Sequence, residues 1–219
     1  MIEAILPDAV AVAESRGDIA GAELFPDEEA AVARAVEKRR REFATGRVCA
    51  RRALARLGVA ASSLPSGGRG QPLWPPGIAG SITHCDGYRG CAVARTADLA
   101  AVGIDAEPHA PLPGGLLADV ALPHESAAIG RLSQASPGIH WDRLLFSAKE
   151  AVFKAWYPLT ERELEFEDAA IRFASRAGRF EARLLVPGPL IGGRRLQELA
   201  GRWTVAERLI LSAVAVSPR

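Results

Sequence analysis

The order of helical and strand-like patterns constrains the fold of this 219-residue sequence more than any other feature. Helical periodicity is followed by strand-like alternation, and after a Pro- and Gly-rich stretch the same order returns. Helical patterns lie over 28–43, 46–57, 124–134 and 141–157, and strand patterns over 80–95, 100–107, 166–186 and 201–216. This order predicts an α+β protein with two halves of about 100 residues each.

Local signals predict where several of these elements begin and end. Asp27 is a suitable N-cap for the first helix, and Gly58 is a suitable residue after the end of the second. Asp86-Gly87 lies between two strand-like runs and predicts a tight hairpin turn. Pro108 ends the strand-like run AAVGIDAE. The faint likeness between residues 80–94 and 201–215 does not by itself indicate a duplication.

Composition argues against several classes of function. The chain has 27 basic and 26 acidic residues and a formal net charge of +1, so no overall charge draws it to nucleic acid or a membrane. The first residues contain no basic stretch typical of a secretory signal, and no apolar run approaches the roughly 18 residues of a membrane span. Cys49, Cys85 and Cys91 show no metal-binding spacing and favour free thiols. We therefore expect a cytoplasmic protein.

Two acids lie in the strand-like segment Gly103-Ile104-Asp105-Ala106-Glu107. Side chains alternate between the two faces of a strand, so Asp105 and Glu107 project together while Ile104 and Ala106 face the core. Two neighbouring carboxylates repel each other unless a cation lies between them, and oxygen ligands favour Mg²⁺, Mn²⁺ or Ca²⁺. The alternative is a solvated strand end with two surface acids.

The segment from Trp141 to Trp156 predicts an amphipathic helix with an unusual second face. Its apolar stripe consists of Trp141, Leu144, Leu145, Ala148, Val152 and Trp156. The opposite face carries Phe146, Glu150, Phe153, Lys154 and Tyr157, with Lys149 at its margin. This mixture of aromatic and charged residues is typical of a pocket wall. The alternative is an ordinary ion pair between Glu150 and Lys154 on the helix surface.

Basic residues are concentrated in the first helical region and in two later segments. The cluster comprises Lys38, Arg39, Arg40, Arg41, Arg47, Arg51, Arg52 and Arg56, followed by Arg69 in a Gly-rich loop and His84 after Ser81 and Thr83. Guanidinium groups match the geometry of phosphate, although a solvated Arg-rich helix has the same composition. Together the acids, the cations and the apolar face form the inventory of a phosphoryl-transfer site whose ligand has a long apolar arm.

The same segments, taken in order, resemble a known enzyme family. GIDAE at 103–107 followed by FSAKEAVFKAW at 146–156 resembles the signature pair of the 4′-phosphopantetheinyl transferases of the Sfp/EntD type. The segments KRRREFATGRVCARRAL, RGQPLWPPGIAGSITHCDGY and GRWTV extend the resemblance over nearly the whole chain, especially to actinobacterial members.

This resemblance implies a fold and a reaction. Two similar α+β halves, residues 1–108 and 109–219, would pack with pseudo-twofold symmetry around a cleft that binds coenzyme A. The enzyme would transfer the phosphopantetheine arm to a serine of apo acyl or peptidyl carrier proteins for fatty-acid, polyketide, non-ribosomal peptide or siderophore synthesis. A monomer would be sufficient, with no nucleic acid or membrane as partner.

The resemblance also implies roles for single residues. Asp105, Glu107 and Glu150 would hold Mg²⁺ or Mn²⁺, and Asp105, Glu150 and Lys154 would act in catalysis. The CoA contacts would be Arg39 and Arg47 near the 3′-phosphate, Arg69, Gly70, Gln71 and Pro72 at adenine, and Ser81, Thr83, His84, Lys149 and Lys154 at the phosphates. The loop departs from many relatives in having no lysine beside Arg69.

Two other functions use the same residues differently. Another metal-dependent phosphate enzyme, such as a nuclease or phosphatase, would use the acids without a carrier protein. A nucleic-acid-binding module would use the Arg-rich helices, but the net charge of +1 and the 6% aromatic content argue against a stacking platform.

Overall fold

The computed structural model describes residues 1–174 and 178–218 and has the predicted α+β class. The strands are β1 (Ala11–Arg16), β2 (Ile78–Cys85), β3 (Tyr88–Arg95), β4 (Ala101–Pro108), β5 (Ala169–Ala174), β6 (Arg179–Leu184), β7 (Leu190–Ile191), β8 (Arg194–Arg195), β9 (Glu198–Ala206) and β10 (Leu209–Val216). The helices are α1 (Pro26–Val32), α2 (Glu37–Arg56), α3 (Leu116–Val120), α4 (Pro123–Ala135) and α5 (Trp141–Thr160), with short 3-10 helices over Ile2–Ile5 and Phe166–Asp168. None of the helices in the described ranges is both long and apolar enough to span a membrane.

The first half is a three-stranded antiparallel sheet, in the order β1-β3-β2, packed against α2. The buried face of α2 contributes Cys49, Ala53 and Leu54 to a core shared with Val93 of β3. The predicted hairpin joins β2 to β3 through Asp86-Gly87, and Gly87 has a φ of 71°, which glycine adopts without steric cost.

The second half is a five-stranded antiparallel sheet, in the order β4-β10-β9-β6-β5, packed against α5. The predicted apolar stripe of α5 is buried in this core. Gly103 allows α5 to lie directly on β4, because a Cβ atom at this position would be only 2.1 Å from the carbonyl oxygen of Ala151. This close approach brings the polar face of α5 beside the acids of β4.

The two halves repeat one connectivity. In each, a strand is followed by a long helix and later by a hairpin whose second strand pairs with the first strand, so β1-β3-β2 corresponds to β4-β10-β9. In the second half, β5 to β8 lie between the helix and this hairpin. The faint sequence likeness between residues 80–94 and 201–215 falls on these two equivalent hairpins. The prediction of two similar α+β halves is confirmed.

The halves meet through a shared apolar core and through side-chain hydrogen bonds. Ile104 and Ala106 of β4 lie in this core, as the alternation of the strand predicts. The hydroxyls of Ser81 and Thr83 on β2 accept hydrogen bonds from the backbone N–H groups of Ile104 (3.1 Å) and Ala106 (3.0 Å). These two hydroxyls therefore provide hydrogen-bond acceptors for two backbone N–H groups on the edge of β4 that is not paired with another strand in the described residues.

Several sequence-based boundaries differ from the structure. The strand β4 is hydrogen-bonded to β10, so it belongs to the second sheet and not to the half that was predicted to end at residue 108. The helices predicted over 28–43 and 46–57 are a short α1 and one continuous α2 instead, and α1 begins at Pro26, so Asp27 is not its N-cap. The strand pattern over 166–186 divides into β5 and β6, and its residues 175–177 lie outside the described residues.

The continuity of α2 has a tertiary cause. Gly46, the first residue of the second predicted helix, lies inside α2 where the helix passes close to β2. A Cβ atom at Gly46 would be 3.3 Å from Cγ2 of Ile82, so packing against the sheet compensates for the low helix propensity of glycine.

Candidate active site

A cleft between the halves collects most of the predicted site residues. Two adjoining cavities of about 210 and about 170 Å³ share Gly70, Pro72, Ile82 and Lys154 and form one continuous cleft. Its lining includes these predicted residues: Arg39, Arg47, Arg69, Gly70, Gln71, Pro72, Ser81, Thr83, His84, Glu150 and Lys154. Four elements supply these residues: α2, the 69–74 loop, β2 and α5.

Asp105 lies behind Lys154 at the junction of the two halves. Its side chain is almost fully buried, and its Oδ1 accepts a hydrogen bond from Nζ of Lys154 at 2.6 Å and a longer one from the Thr83 hydroxyl at 3.4 Å. Its Oδ2 is buried and has no hydrogen-bond partner among the described residues. One oxygen of this carboxylate therefore lacks the hydrogen bond that a buried polar atom usually makes.

Glu107, two residues further along β4, is paired with an arginine. Nη1 of Arg143 donates to Oε2 of Glu107 at 2.7 Å, and the same guanidinium donates to the carbonyls of Ala110 and Pro111. Arg143 therefore fixes both the end of β4 and the loop that follows. Burial raises the pKa of Glu107, as does the charge of Asp105, while Arg143 opposes the shift.

Glu150 projects from α5 into the cleft. Burial raises the pKa of its carboxyl above the ordinary glutamate value, the positive charge of Lys154 lowers it, and the negative charge of Asp105 raises it. A carboxylate whose pKa is raised in this way is a stronger proton acceptor than a solvated glutamate.

These acids have the right chemistry for a hard divalent cation but are not assembled around one. Within the described residues, no group of three His, Cys, Asp or Glu side chains is close enough to hold a metal ion. Lys154 and Arg143 instead neutralise Asp105 and Glu107. Three carboxylates with two cations leave one negative charge, and Oδ2 of Asp105 is an oxygen of the type that Mg²⁺ binds, without a hydrogen-bond partner in the described residues. The residues therefore fit a divalent cation.

The other end of the cleft is basic. Nη1 of Arg39 lies 2.5 Å from Nε2 of His84, and Glu42 lies 3.8 Å from the other ring nitrogen. Burial and the charge of Arg39 lower the pKa of His84, so its imidazole is neutral at pH 7 and accepts the hydrogen bond from Arg39.

Arg47 is a buried cation in the wall of the cleft, with 3% of its surface exposed. Its Nη2 donates to the Ser66 hydroxyl at 3.0 Å, and its guanidinium lies 4.2 Å from the centre of the Phe43 ring. Burial lowers the pKa of Arg47 to about 10, so it remains charged near neutrality. Such a cation, already desolvated and held in place, is well suited to binding an anion.

The comparisons with known proteins agree on one family. Residues 27–94 match the family model described as the 4′-phosphopantetheinyl transferase N-terminal domain, and residues 101–207 match that of the 4′-phosphopantetheinyl transferase superfamily. The transferase PptT of Mycobacterium tuberculosis is 46% identical over 224 residues, which cover 99% of this chain and 98% of PptT. The chain belongs to the 4′-phosphopantetheinyl transferase family. Svp of Streptomyces mobaraensis is 59% identical over 194 residues (89% of this chain, 79% of Svp), and Npt of Nocardia iowensis is 48% identical over 223 residues (98% and 99%).

One predicted CoA contact of the transferase lies in a different environment from the others. Lys149 is buried, and its Nζ donates to the Glu125 carboxylate at 2.8 Å and to the Phe166 carbonyl at 2.7 Å. It lines a neighbouring cavity of about 190 Å³ that shares Glu150 and Phe153 with the cleft. In this structure the amino group of Lys149 joins α5 to α4 and to the 3-10 helix at Phe166–Asp168.

The loop that was predicted to contact adenine is held in place by contacts among its own residues and by one ion pair. Oε1 of Gln71 accepts a hydrogen bond from the Arg69 backbone at 3.0 Å, and the Gly67 N–H donates to the Gln71 carbonyl at 2.8 Å. The Arg69 side chain forms an exposed ion pair at 2.5 Å with Glu163, across the cleft in the second half. Arg69 therefore bridges the two halves.

Two charged residues of this region were not predicted from the sequence. Arg143 is seven residues, or two helical turns, before Glu150, so helical periodicity was sufficient to place both on one face of α5. Glu28, the first residue of the helix predicted over 28–43, was not identified as a candidate site residue, whereas it is fully buried beneath Arg47 and Arg51. The residues next to Glu28 in the sequence do not indicate that it is buried, and the many arginines of the chain do not show which of them pair with it.

Proposed function

We propose that this transferase moves the phosphopantetheine arm of CoA to a serine of an apo acyl or peptidyl carrier protein and releases 3′,5′-ADP. The main support for this proposal is the cleft between the halves, where basic residues of the first half lie opposite Glu150 and Lys154 of the second half. A pyrophosphate ester with a nucleotide at one end and an apolar arm at the other matches this distribution of charge.

In this proposal the cations of the cleft, together with the neutral imidazole of His84, bind CoA. Arg39 and Arg47 bind the 3′-phosphate end, the loop from Arg69 to Pro72 lies against adenine, and His84 and Lys154 contact the pyrophosphate. Both cavities include Lys154, which supports a ligand that extends through them. Phe153 and Tyr157 on the same wall would contact the pantetheine arm.

Asp105, Glu107 and Glu150 are the residues that would hold Mg²⁺ or, in its place, Mn²⁺. The support for this set is the buried Oδ2 of Asp105, which has no hydrogen-bond partner in the described residues, together with the excess of carboxylates over cations. A bound divalent cation would neutralise negative charge on the pyrophosphate oxygens.

The residues of the chain account for the proton transfers. The serine oxygen of the carrier protein forms a bond to the β-phosphorus of CoA, and the bond from that phosphorus to the bridging oxygen breaks. Glu150, which lines the cleft, takes the proton of the serine hydroxyl. Lys154 donates a hydrogen bond to the leaving 3′,5′-ADP, and Asp105 holds Lys154 in place at 2.6 Å.

The biological setting follows from the substrates. We place the reaction in the cytoplasm, where CoA and the carrier proteins of fatty-acid, polyketide, non-ribosomal peptide and siderophore synthesis occur together. One chain supplies both walls of the cleft, which supports a functional monomer.

Intact mass spectrometry of carrier proteins tests the proposal. Purified protein is incubated with CoA, Mg²⁺ and a panel of apo carrier proteins, and the expected result is a mass gain of one phosphopantetheine arm, lost with EDTA and with Glu150→Gln. Release of phosphate from CoA without any carrier gain would favour the alternative phosphatase. Absence of both the gain and CoA binding would refute the proposal.

A further inference from the structure

Glu28 of α1 is a fully buried acid that lies outside the lining of the cleft. Its carboxylate accepts a hydrogen bond from the Phe25 N–H at 2.9 Å, another from the Leu64 N–H at 2.9 Å, and two from Nη1 of Arg51 at 2.9 and 3.2 Å. A buried carboxylate with four such contacts is held rigidly. Nothing in the proposed reaction uses it directly.

The same carboxylate faces Arg47 from behind. Nε of Arg47 lies 3.9 Å from Oε1 of Glu28, too far for a hydrogen bond, and has no other partner in the described parts of the chain. Arg47 is therefore held by the charge of Glu28 on one side, by Ser66 on another and by the Phe43 ring on a third. Its remaining side faces the cleft.

The charges around Glu28 do not cancel. Two guanidinium groups, those of Arg47 and Arg51, share one carboxylate, so one positive charge is left over, and Arg39 brings another to the same cavity. An anion in the cleft beside Arg47 would supply the missing negative charge. Glu28 thus sets the direction in which Arg47 presents its charge.

Glu28 also anchors the loop on the other side of this cavity. The Leu64 N–H bonds to its carboxylate, and the Ser63 hydroxyl donates to the adjacent Asp27 at 2.5 Å. Two residues later Ser66 contacts Arg47 and forms a β-bridge with Pro72, at the end of the loop that lines the cleft. One buried carboxylate therefore fixes both a cation and the loop opposite it.

We infer that Glu28 is a positioning residue for the nucleotide end of CoA. It orients Arg47 and the 64–72 loop so that the enzyme recognises the 3′-phosphate. This inference rests on the proposed function, because it requires that the cleft bind CoA. Recognition of the 3′-phosphate would then depend on a residue that never touches the ligand.

Glu28→Gln keeps the volume of the side chain and removes its charge. The amide offers one acceptor oxygen where the carboxylate offered two, so the N–H groups of Phe25, Leu64 and Arg51 cannot all stay bonded. Arg47 loses the charge behind it and becomes free to reorient. Because hydrogen bonds to charged groups contribute substantially, we expect the dissociation constant for CoA to rise about tenfold.

Calorimetric titration of the full-length protein with CoA and with dephospho-CoA, which lacks the 3′-phosphate, tests the inference. Glu28→Gln should weaken binding of CoA by about tenfold and change binding of dephospho-CoA by less than about twofold. In turnover, KM for CoA should rise while kcat at saturating CoA is retained. The matched control is Glu29→Gln, an exposed acid one residue along α1, which should behave as the wild type.

The outcomes separate the inference from its premise. Equal loss of affinity for both ligands would overturn the inference, because general loosening of the fold would then explain it. Failure of the wild type to bind CoA would refute the proposed function instead. If Glu28→Gln does not fold, as judged by circular dichroism, Ser66→Ala is the second test, because it removes the hydroxyl that holds Arg47. Ser66→Ala should weaken binding of CoA more than binding of dephospho-CoA. Equal loss of affinity for both ligands would again overturn the inference.

Discussion

The ion pair between Lys154 and Asp105 gives a quantitative prediction about stability. The two side chains meet at 2.6 Å, with side-chain exposures of 26% for Lys154 and 6% for Asp105. Lys154→Met removes the cation and leaves a buried carboxylate with only the weak contact from Thr83. Asp105→Asn removes the charge from the buried partner and leaves a lysine that still reaches water.

The two substitutions should therefore have unequal costs. Removing one partner of a fully buried pair costs about 3–5 kcal/mol, and partial exposure of Lys154 lowers this to about 2–3 kcal/mol for Lys154→Met. Asp105→Asn should cost about 1 kcal/mol, because no buried charge is left uncompensated. For a chain of this size, Lys154→Met corresponds to a fall in Tm of about 5–10 °C.

Urea unfolding of the wild type, the two single variants and the double variant in metal-free buffer measures these costs. The double variant should be more stable than the sum of the single losses predicts, since Lys154→Met no longer leaves a buried charge once Asp105 is Asn. Equal losses for the two single variants, or simple additivity in the double variant, would refute the reasoning that Asp105 is the desolvated partner.

Three further predictions concern catalysis, packing and pH. Glu150→Gln should lower kcat by about 10²-fold or more with CoA affinity retained; a matching loss of CoA affinity in calorimetry would contradict its role as base. Gly103→Ala should lower the free energy of unfolding by at least about 1–3 kcal/mol, because its Cβ atom would clash with the backbone of α5. The control Gly114→Ala, with open space around it, should lower it far less. Equal losses in thermal unfolding would exclude this clash as the cause. Burial and the charge of Arg39 lower the pKa of His84 in the folded protein, so its contribution to stability is complete above its unfolded pKa of about 6.5 and is lost as the pH falls below that value. Between about pH 7 and pH 5, the Tm of the wild type should therefore fall more than that of His84→Gln. Parallel curves of Tm against pH for the two proteins would contradict this prediction.

Local periodicity was sufficient to predict the elements that carry the site. The alternation in GIDAE placed Ile104 and Ala106 in the core, and the structure buries both. The 3.6-residue period of α5 separated its apolar stripe from the face that bears Glu150 and Lys154. Both predictions depend only on which way neighbouring side chains point along one element, so a single sequence contains them.

The partners of these residues were decided by tertiary packing. No local pattern indicates that Glu107 pairs with Arg143, that Lys149 turns to Glu125, or that β4 joins the second sheet. Each of these contacts depends on which segments, far apart in the chain, lie side by side in the fold. Because the chain contains many acidic and basic residues, charge alone does not identify the partners.

Glu28 is the clearest example of a residue whose surroundings were decided by tertiary packing. Its sequence position, in the first turn of a short helix, predicts only a favourable interaction with the helix dipole. Its burial comes from the packing of α1 and the 63–66 loop against α2, which encloses the carboxylate with Arg47 and Arg51. The sequence by itself determined the elements, their faces and the type of chemistry in the cleft. The tertiary structure decided which charges are desolvated together, because desolvation depends on contacts between segments far apart in the chain.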